Sequence, residues 1–204
     1  MVHRWDIITI GNLSRNRYWG EGEDEPVRPV ICTSTLITGA DFHLIVDPSL
    51  ADAERMAAEL DRRAGLAPSQ VDAVFITHPH GDHHAGLACF DEAKWLAAPE
   101  VADAINGSAK YDKQVEPAAP RILSAIDVIH TPGHTASHHS LRFDCDGLSV
   151  VVAGDAVMTR DFWRDRRGYF NSEDFSLATE TMARLSGVAD AVVPGHGNWF
   201  PVRR

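Results

Sequence analysis

Residues 77–84 read THPHGDHH, so four histidines and one aspartate stand within eight positions. The segment directly follows VDAVFIT, an apolar β-type run that predicts a buried strand. A short turn with Pro and Gly can point the first two histidines one way and Asp82 and His83 the other way. Neutral imidazole and carboxylate are ligands that suit zinc, iron, manganese or cobalt. This one turn can therefore serve two metal ions.

Three more side chains of ligand type follow β-type runs elsewhere: His134 in VIHTPGH, Asp155 in VVVAGD and His196 in AVVPGH. Because strand ends at one edge of a sheet converge, we expect these loops and the histidine turn to meet at one site. None of the candidate ligands is a thiolate, which favours a catalytic centre over a closed structural one. Any single one of the 11 histidines has an ordinary structural explanation, but the ordered set HxHxDH, PGHT, GD and PGHG does not.

Composition narrows the class of protein. The 204 residues fit a single domain over 1–204, and 44% apolar with 24% charged residues is ordinary globular usage. The net charge of −10 disfavours nucleic acid and anionic membranes as partners and leaves homo-oligomerisation open. Cys32, Cys89 and Cys145 form no CxxC pair, which indicates neither a disulfide framework nor a thiolate metal site. Without a signal peptide or a membrane-spanning run, we expect a cytoplasmic protein.

The predicted elements form a mixed chain of strands and helices. DIITI, VICTSTLITG and FHLIVD predict an antiparallel meander. Residues 12–29, between the first two strands, are polar and rich in Gly and Pro, which predicts a surface loop. SLADAERMAAELDRRAG predicts a helix that begins with a capping box of Ser49 and Asp52. A second helix is predicted to begin at Asn171 or Ser172. Its apolar stripe consists of Phe175, Ala178, Met182 and Leu185.

This combination of motifs resembles the metallo-β-lactamase superfamily of metallohydrolases. The resemblance runs from TSTLITGADFHLIVDPS (33–49), similar to the opening hairpin of that family, to PGHG near the end. It implies an α+β fold, the αββα four-layer sandwich, in which two sheets lie back to back with helices outside. It also implies two divalent metal ions, with zinc favoured and iron, manganese or cobalt open. The implied ligands are His78, His80 and His134 for one ion, Asp82, His83 and His196 for the second, and Asp155 as the bridge.

Departures from individual branches of the family narrow the implied substrate. β-Lactamases of the main zinc class carry cysteine where this chain has Asp155, and flavodiiron oxygen reductases carry glutamate at the position of His80. Glyoxalase-II-like thioesterases resemble the whole ligand set, but they carry a C-terminal helical region for glutathione, and we expect none here because eight residues follow His196. His138 falls where several lactonases and glyoxalase II enzymes also have histidine. We therefore expect a lactone or a thioester as the substrate.

The implied reaction is hydrolysis of an ester-like bond by a hydroxide that bridges the two metal ions, which lower the pKa of water to around 7. Asp82 and Asp155 are the predicted catalytic carboxylates, and Asp155 also keeps the ions at a fixed separation. The substrate is a small molecule, and an anionic one if the Arg-rich segment 160–167 binds it. Alternatively, those arginines pair with surface acids while the neighbouring aromatic rings pack inward. Tyr18 and Trp19 are candidates for the opposite wall.

Other functions fit parts of the pattern. A mononuclear iron persulfide dioxygenase resembles the family but uses two histidines and one aspartate, here His78, His134 and Asp155. A small RNA endonuclease of the same superfamily is disfavoured by the acidic charge. A metal-binding module without catalysis is disfavoured by the complete ligand set. The residues whose roles the sequence leaves open are Asp47, His84, His138 and His139.

Overall fold

The computed structural model describes residues 1–22, 24 and 26–202, and within them the chain forms two six-stranded β-sheets. In spatial order, the first sheet contains β1 (Val2–Thr9), β2 (Ser34–Gly39), β3 (His43–Val46), β4 (Ala73–Ile76), β5 (Lys94–Ala97) and β6 (Glu116–Pro117). The second contains β12 (Phe200–Pro201), β11 (Ala191–Pro194), β10 (Leu148–Gly154), β9 (His139–Cys145), β8 (Ile126–His130) and β7 (Arg121–Ile122). The α-helices are α1 (Ala53–Ala64), α2 (Pro99–Gly107), α3 (Arg160–Asp165) and α4 (Phe175–Ser186).

The pairing of the strands places several strand ends at common edges. β1, β2 and β3 pair antiparallel in chain order, which is the predicted meander. β4 is parallel to both β3 and β5. In the second sheet, β10 and β11 are parallel neighbours, so their carboxyl ends lie at the same edge.

Side chains of the central strands alternate between two apolar layers. In β4, Ala73 and Phe75 belong to the core between the sheets, whereas Val74 and Ile76 pack with the helices on the outer face. β10 alternates in the same way between the inter-sheet core and the layer beneath α4. Because both faces of these strands are buried, the strands read as nearly continuous apolar runs in the sequence.

Helices cover the outer face of each sheet. Met56 and Leu60 of α1 and Val101 of α2 pack on the first sheet. Met182 and Leu185 of α4 pack on the second sheet. The order helix, sheet, sheet, helix is the αββα sandwich that the sequence predicts. Across the described residues, none of the helices is both long enough and apolar enough to traverse a bilayer.

The first residue of α1 differs from the prediction. The helix begins at Ala53, and its cap is Asp52, whose carboxylate accepts a hydrogen bond from the Arg55 N–H at 2.9 Å. Ser49 lies outside the helix in a buried cluster of hydroxyl groups, 3.2 Å from the Ser34 hydroxyl. The predicted capping box is therefore wrong, since the aspartate alone satisfies the end of the helix.

The other predicted helix also begins later than expected. α4 begins at Phe175 instead of at 171 or 172, because the Asp174 carboxylate caps it by accepting a hydrogen bond from the Leu177 N–H at 2.8 Å. Phe175 stands in the first turn and is 46% exposed, so it does not belong to the buried stripe. The buried apolar residues of α4 are Ala178, Met182 and Leu185.

Candidate metal centre

The candidate ligands converge because their loops leave the sheets at one edge. The turn 77–84 follows β4. Asp155 comes directly after β10, and His196 follows its parallel neighbour β11. His134 lies in the loop between β8 and β9. The structure thereby brings all seven implied ligands together in two adjoining groups.

One group consists of His78, His80, His134 and Asp155. His80 directs Nδ1 inward, 3.0 Å from Nε2 of His78 and 2.9 Å from Nε2 of His134. Oδ2 of Asp155 lies 3.6 Å from Nε2 of His78 and 3.2 Å from Nε2 of His134. Ligand atoms that each lie about 2.1 Å from one zinc ion are roughly 3 to 3.4 Å apart. Three of the four distances are close to this range and the fourth, 3.6 Å, is slightly longer, so the four side chains are close enough together to hold a single ion.

The second group consists of Asp82, His83 and His196. Nε2 of His83 and Nε2 of His196 each lie 3.2 Å from Oδ1 of Asp155. Oδ2 of Asp82 lies 3.7 Å from the first of these nitrogens and 3.6 Å from the second. The two carboxylate oxygens of Asp155 thus face different groups, which is the arrangement that a bridging ligand requires.

Unsatisfied polar atoms show that divalent ions fit between these side chains. Nε2 of His83 and Oδ1 of Asp155 are buried and lack a hydrogen-bond partner, although they lie 3.2 Å apart. Such atoms are rare in folded proteins and call for an explanation. A cation between them would satisfy both. The donor set, five imidazoles and two carboxylates without a thiolate, suits zinc, iron, manganese or cobalt.

Asp47 orients the histidine turn from behind. It is 1% exposed, and its carboxylate accepts hydrogen bonds from the Thr77 N–H and hydroxyl, both at 2.8 Å, and from His83 Nδ1 at 2.9 Å. The Thr77 hydroxyl oxygen in turn lies 3.1 Å from Nδ1 of His78. Because their Nδ1 atoms have partners here, both histidines present Nε2 to the site. Asp47 also occupies a left-handed turn, with φ of 50°.

Asp47→Asn is expected to lower zinc affinity and kcat/KM about 10- to 100-fold, as loss of a partner behind a ligand histidine typically does. The amide nitrogen would face a donor of Thr77 or His83, so at least one hydrogen bond is lost while size and turn preference are kept. Zinc titration of the metal-free variant, together with steady-state kinetics, measures both effects. Exposed Asp103→Asn is the matched control. Zinc affinity equal to that of the wild type would contradict this supporting role.

The pKa shifts of the side chains differ between the two groups. Burial lowers the pKa of His78 well below its usual value and lowers the pKa of His134 to about 4, so both rings are neutral near pH 7. Burial also acts to lower the pKa of His196, but the Asp155 carboxylate outweighs it and the net shift is upward. Burial acts to raise the pKa of Asp155, but His196, His83 and His134 hold it well below its usual value. A cation at the second group would therefore replace protons.

His138 supports the site without offering a ligand atom. Its Nε2 accepts a hydrogen bond from the Ala156 N–H at 3.3 Å, and its Nδ1 lies 2.8 Å from the Thr131 hydroxyl. The ring stacks on His78, with 5.0 Å between centroids. Burial lowers the pKa of His138 well below its usual value, so the ring is a neutral core group.

The other two open histidines have partners elsewhere. Nδ1 of His84 lies 2.8 Å from the Tyr111 hydroxyl, and its Nε2 lies 3.2 Å from the Pro79 carbonyl, so this side chain braces the histidine turn. Nδ1 of His139 lies 2.9 Å from the Ser137 carbonyl. Neither residue belongs to the two ligand groups.

Gly195 of the PGHG motif makes room for Asp155. A Cβ atom at this position would lie 1.9 Å from Oδ1 of Asp155. The Gly195 N–H donates to the carbonyls of Gly154 and Val157 at 2.9 and 3.0 Å, which fixes the loop against the end of β10. Any side chain at Gly195 would therefore displace the shared carboxylate.

A cavity of about 290 Å³ opens onto both groups. Members of the groups that line it are His80, Asp82, Asp155 and His196. Its other walls are mostly apolar and contain Leu13, Val30, Met158, Tyr169 and Phe170. The cavity is therefore a small, largely apolar chamber with the candidate ligands on one side.

Tyr18 and Trp19 do not form the opposite wall, contrary to the prediction. Tyr18 packs edge-on against Phe162, and its hydroxyl donates to Asp165 at 2.6 Å. Burial and this hydrogen bond raise the pKa of Tyr18 to about 12. Trp19 is 62% exposed and lines a neighbouring cavity, which shares Leu13 and His196 with the first one. The same loop contributes Leu13, Ser14 and Val30 to the wall instead.

No residue of the Arg-rich segment 160–167 lines the cavity that opens onto both groups, although Arg160 lines the neighbouring cavity, which also reaches His196. Three of its arginines border, with Trp163, a groove of about 400 Å³ that contains no candidate ligand. Arg164 pairs with Asp161 of the same helix at 3.6 Å, and the Arg166 guanidinium lies 5.1 Å from the centre of the Trp163 ring. The alternative interpretation, with surface pairing and inward aromatic rings, describes this segment better.

Comparison with known proteins identifies the family. The model of the metallo-beta-lactamase superfamily matches residues 27–196. A crystal structure from Thermotoga maritima, described as a metallo-beta-lactamase, superposes with a TM-score of 0.73 at 18% identity and covers 97% of this chain and 98% of its own. The chain belongs to the metallo-beta-lactamase superfamily, which confirms the family and the fold predicted from the sequence.

Curated relatives are longer than the matched region. Metallo-beta-lactamase domain-containing protein 1 of Xenopus laevis is 33% identical over 145 residues, which cover 68% of this chain and 59% of that protein. An N-acyl homoserine lactonase of Bacillus sp is 24% identical over 69% of this chain and 60% of its own length. A hydroxyacylglutathione hydrolase of Xanthomonas axonopodis pv. citri is 37% identical over 57% of this chain and 42% of its own length. The chain thus spans less than two thirds of each.

Proposed function

We propose that this protein is a metal-dependent hydrolase that holds two divalent ions, zinc foremost, and cleaves an ester-like bond. The observation that carries the proposal is the position of Asp155, whose Oδ2 faces His134 of one group and whose Oδ1 faces His83 and His196 of the other, each at 3.2 Å. The first ion would be held by His78, His80 and His134, the second by Asp82, His83 and His196, and Asp155 would bridge them.

The chemistry follows from the buried charge of the site. When bound, two divalent ions supply Lewis acidity, which brings the pKa of water to around 7 and polarises an acyl oxygen. Asp155, buried and shared, fixes the separation of the two groups. The Asp82 side chain is 20% exposed and lines the cavity, so the carboxylate oxygen that does not hold the ion can accept a proton and return it to the leaving group. No side-chain nucleophile is needed.

A lactone or a thioester is the substrate class that the cavity suits. Its apolar walls fit an acyl chain, and Ser14 and Asn171 offer polar contacts. Two relatives are named as an N-acyl homoserine lactonase and a hydroxyacylglutathione hydrolase, which supports acyl transfer to water. Among the described residues that line the cavity there is no arginine or lysine, an absence that does not favour an RNA backbone.

Metal content and turnover test this proposal together. We expect about two metal ions per chain after reconstitution, loss of activity on chelation, and recovery with added zinc, manganese or cobalt. A screen of lactones, thioesters, phosphodiesters and persulfides should show hydrolysis of the first two classes. Elemental analysis that finds at most one ion in the fully loaded protein would contradict the dinuclear site.

A further inference from the structure

Arg15 lies in the loop between β1 and β2, beside the cavity that opens onto both ligand groups. The residue before it, Ser14, lines the cavity, and so do Tyr169 and Phe170 on the facing loop. The Tyr169 hydroxyl donates to the Arg15 carbonyl at 2.8 Å, which fixes the backbone. The Arg15 guanidinium carbon lies 4.0 Å from the centre of the Phe170 ring. Two wall residues of the cavity therefore hold Arg15 in place.

The guanidinium of Arg15 lacks an anionic partner within residues 1–22, 24 and 26–202. Its Nε and Nη1 atoms are buried and have no hydrogen-bond acceptor. Arg28 of the same loop contrasts with it, because Nη1 of Arg28 donates to the Glu21 carboxylate and to the Leu13 carbonyl, both at 3.0 Å. Burying these two N–H groups without an acceptor is unfavourable, and an anion that binds the guanidinium would relieve that penalty.

The cavity itself restricts which anion can use this cation. Its volume of about 290 Å³ is small. It therefore admits only a small anionic group. A guanidinium matches the planar oxygen pair of a carboxylate in size and hydrogen-bond geometry.

We infer that Arg15 is a specificity-determining residue that recognises a carboxylate of the substrate, close to the ester-like bond. Phe170 holds the guanidinium plane of Arg15 by a cation–π contact. The unpaired N–H groups of Arg15 can donate hydrogen bonds to an anion. This inference rests on the proposed hydrolysis and adds the substrate class: a thioester or lactone that carries a carboxylate. Anion recognition is thereby assigned to Arg15, in the loop between β1 and β2, instead of to the segment 160–167.

A matched pair of substrates tests the role of Arg15. The N-acetylcysteamine thioesters of succinic acid and of its monoamide have the same size but differ in one charge. Arg15→Gln in the zinc-loaded protein should raise KM for the acid about 10- to 100-fold and leave KM and kcat for the amide within about twofold. Arg15→Lys keeps the charge but loses the planar fork, so a smaller rise is expected. Arg164→Gln, on the separate groove, is the control.

Succinate binding to the zinc-loaded protein separates this inference from the proposed function. Calorimetric titration should show at least about tenfold weaker binding to Arg15→Gln than to wild type. If none of the lactones and thioesters in the screen or in this pair is hydrolysed, the proposed function fails, while the titration still decides the role of Arg15. Equal succinate affinity, no binding to wild type, or equal effects on acid and amide overturn the inference. If Arg15→Gln does not fold, the same comparisons with Arg15→Lys decide.

Discussion

Asp155→Asn is expected to lower kcat/KM by roughly 1000-fold or more, about 4 kcal/mol of transition-state stabilisation. The two carboxylate oxygens face different histidine groups, so an amide leaves one group opposite an N–H₂ that cannot bind a cation. The lost negative charge also removes the main attraction that raises the pKa of His196. Metal content should fall from about two ions per chain to one or fewer.

Steady-state kinetics and elemental analysis of the same preparations measure these effects, and circular dichroism reports on folding. Exposed Asp103→Asn makes the same chemical change on α2 and should leave activity and metal content unchanged. If Asp155→Asn retained two ions and activity within about tenfold of wild type, Asp155 would not be the shared ligand.

His196→Ala is expected to lower kcat by roughly 100-fold or more, about 2.7 kcal/mol. This change removes one nitrogen from the second group and leaves the first group intact. Nδ1 of His196 lies 3.0 Å from the carbonyls of Asn12 and Ile31, so the variant also loses contacts with the loop between β1 and β2. Asp82→Asn removes a ligand of the same group from a partly exposed position and should lower kcat similarly.

Removing oxygen separates hydrolysis from the iron dioxygenase alternative. A mononuclear site of two histidines and a carboxylate would need neither Asp82 nor His196. We expect wild-type turnover to be unaffected under anaerobic conditions, and exposed His130→Ala to behave as wild type. A reaction that stops without oxygen and survives His196→Ala with iron still bound would assign the protein to the dioxygenases.

Local patterns predicted most of the layers correctly, and the errors have physical causes. Ser49 and Asp52 both stand where a capping residue is favoured, and only the pairing of β2 and β3 draws Ser49 into the hydroxyl cluster with Ser34. α3 was not predicted, because six residues are too few for a clear helical period. The residue that could have indicated the start of α3 is Thr159, whose hydroxyl accepts a hydrogen bond from the Asp161 N–H.

The sequence also did not predict where the Arg-rich segment 160–167 lies relative to the candidate ligands. The segment follows Asp155 within a few residues, but three of its arginines, which α3 and the residue after it contribute, border a separate groove without a candidate ligand. The sequence indicated no role for Arg15, which lies in a polar loop, because its neighbours along the chain give no sign of its contact with Phe170. Such contacts depend on two loops from different sheets, and short-range patterns contain no information about them.

By itself, the sequence determined the family and the four-layer fold, and it predicted seven candidate ligands that would meet, because each follows an apolar strand and strand ends converge. Only the tertiary structure decided how these side chains share the site. Asp155 faces both groups because parallel packing of β10 and β11 and the missing side chain of Gly195 bring two loops together. Asp47 supports the ligand turn because β3 lies beside β4, and its carboxylate then meets the donors of Thr77 and His83.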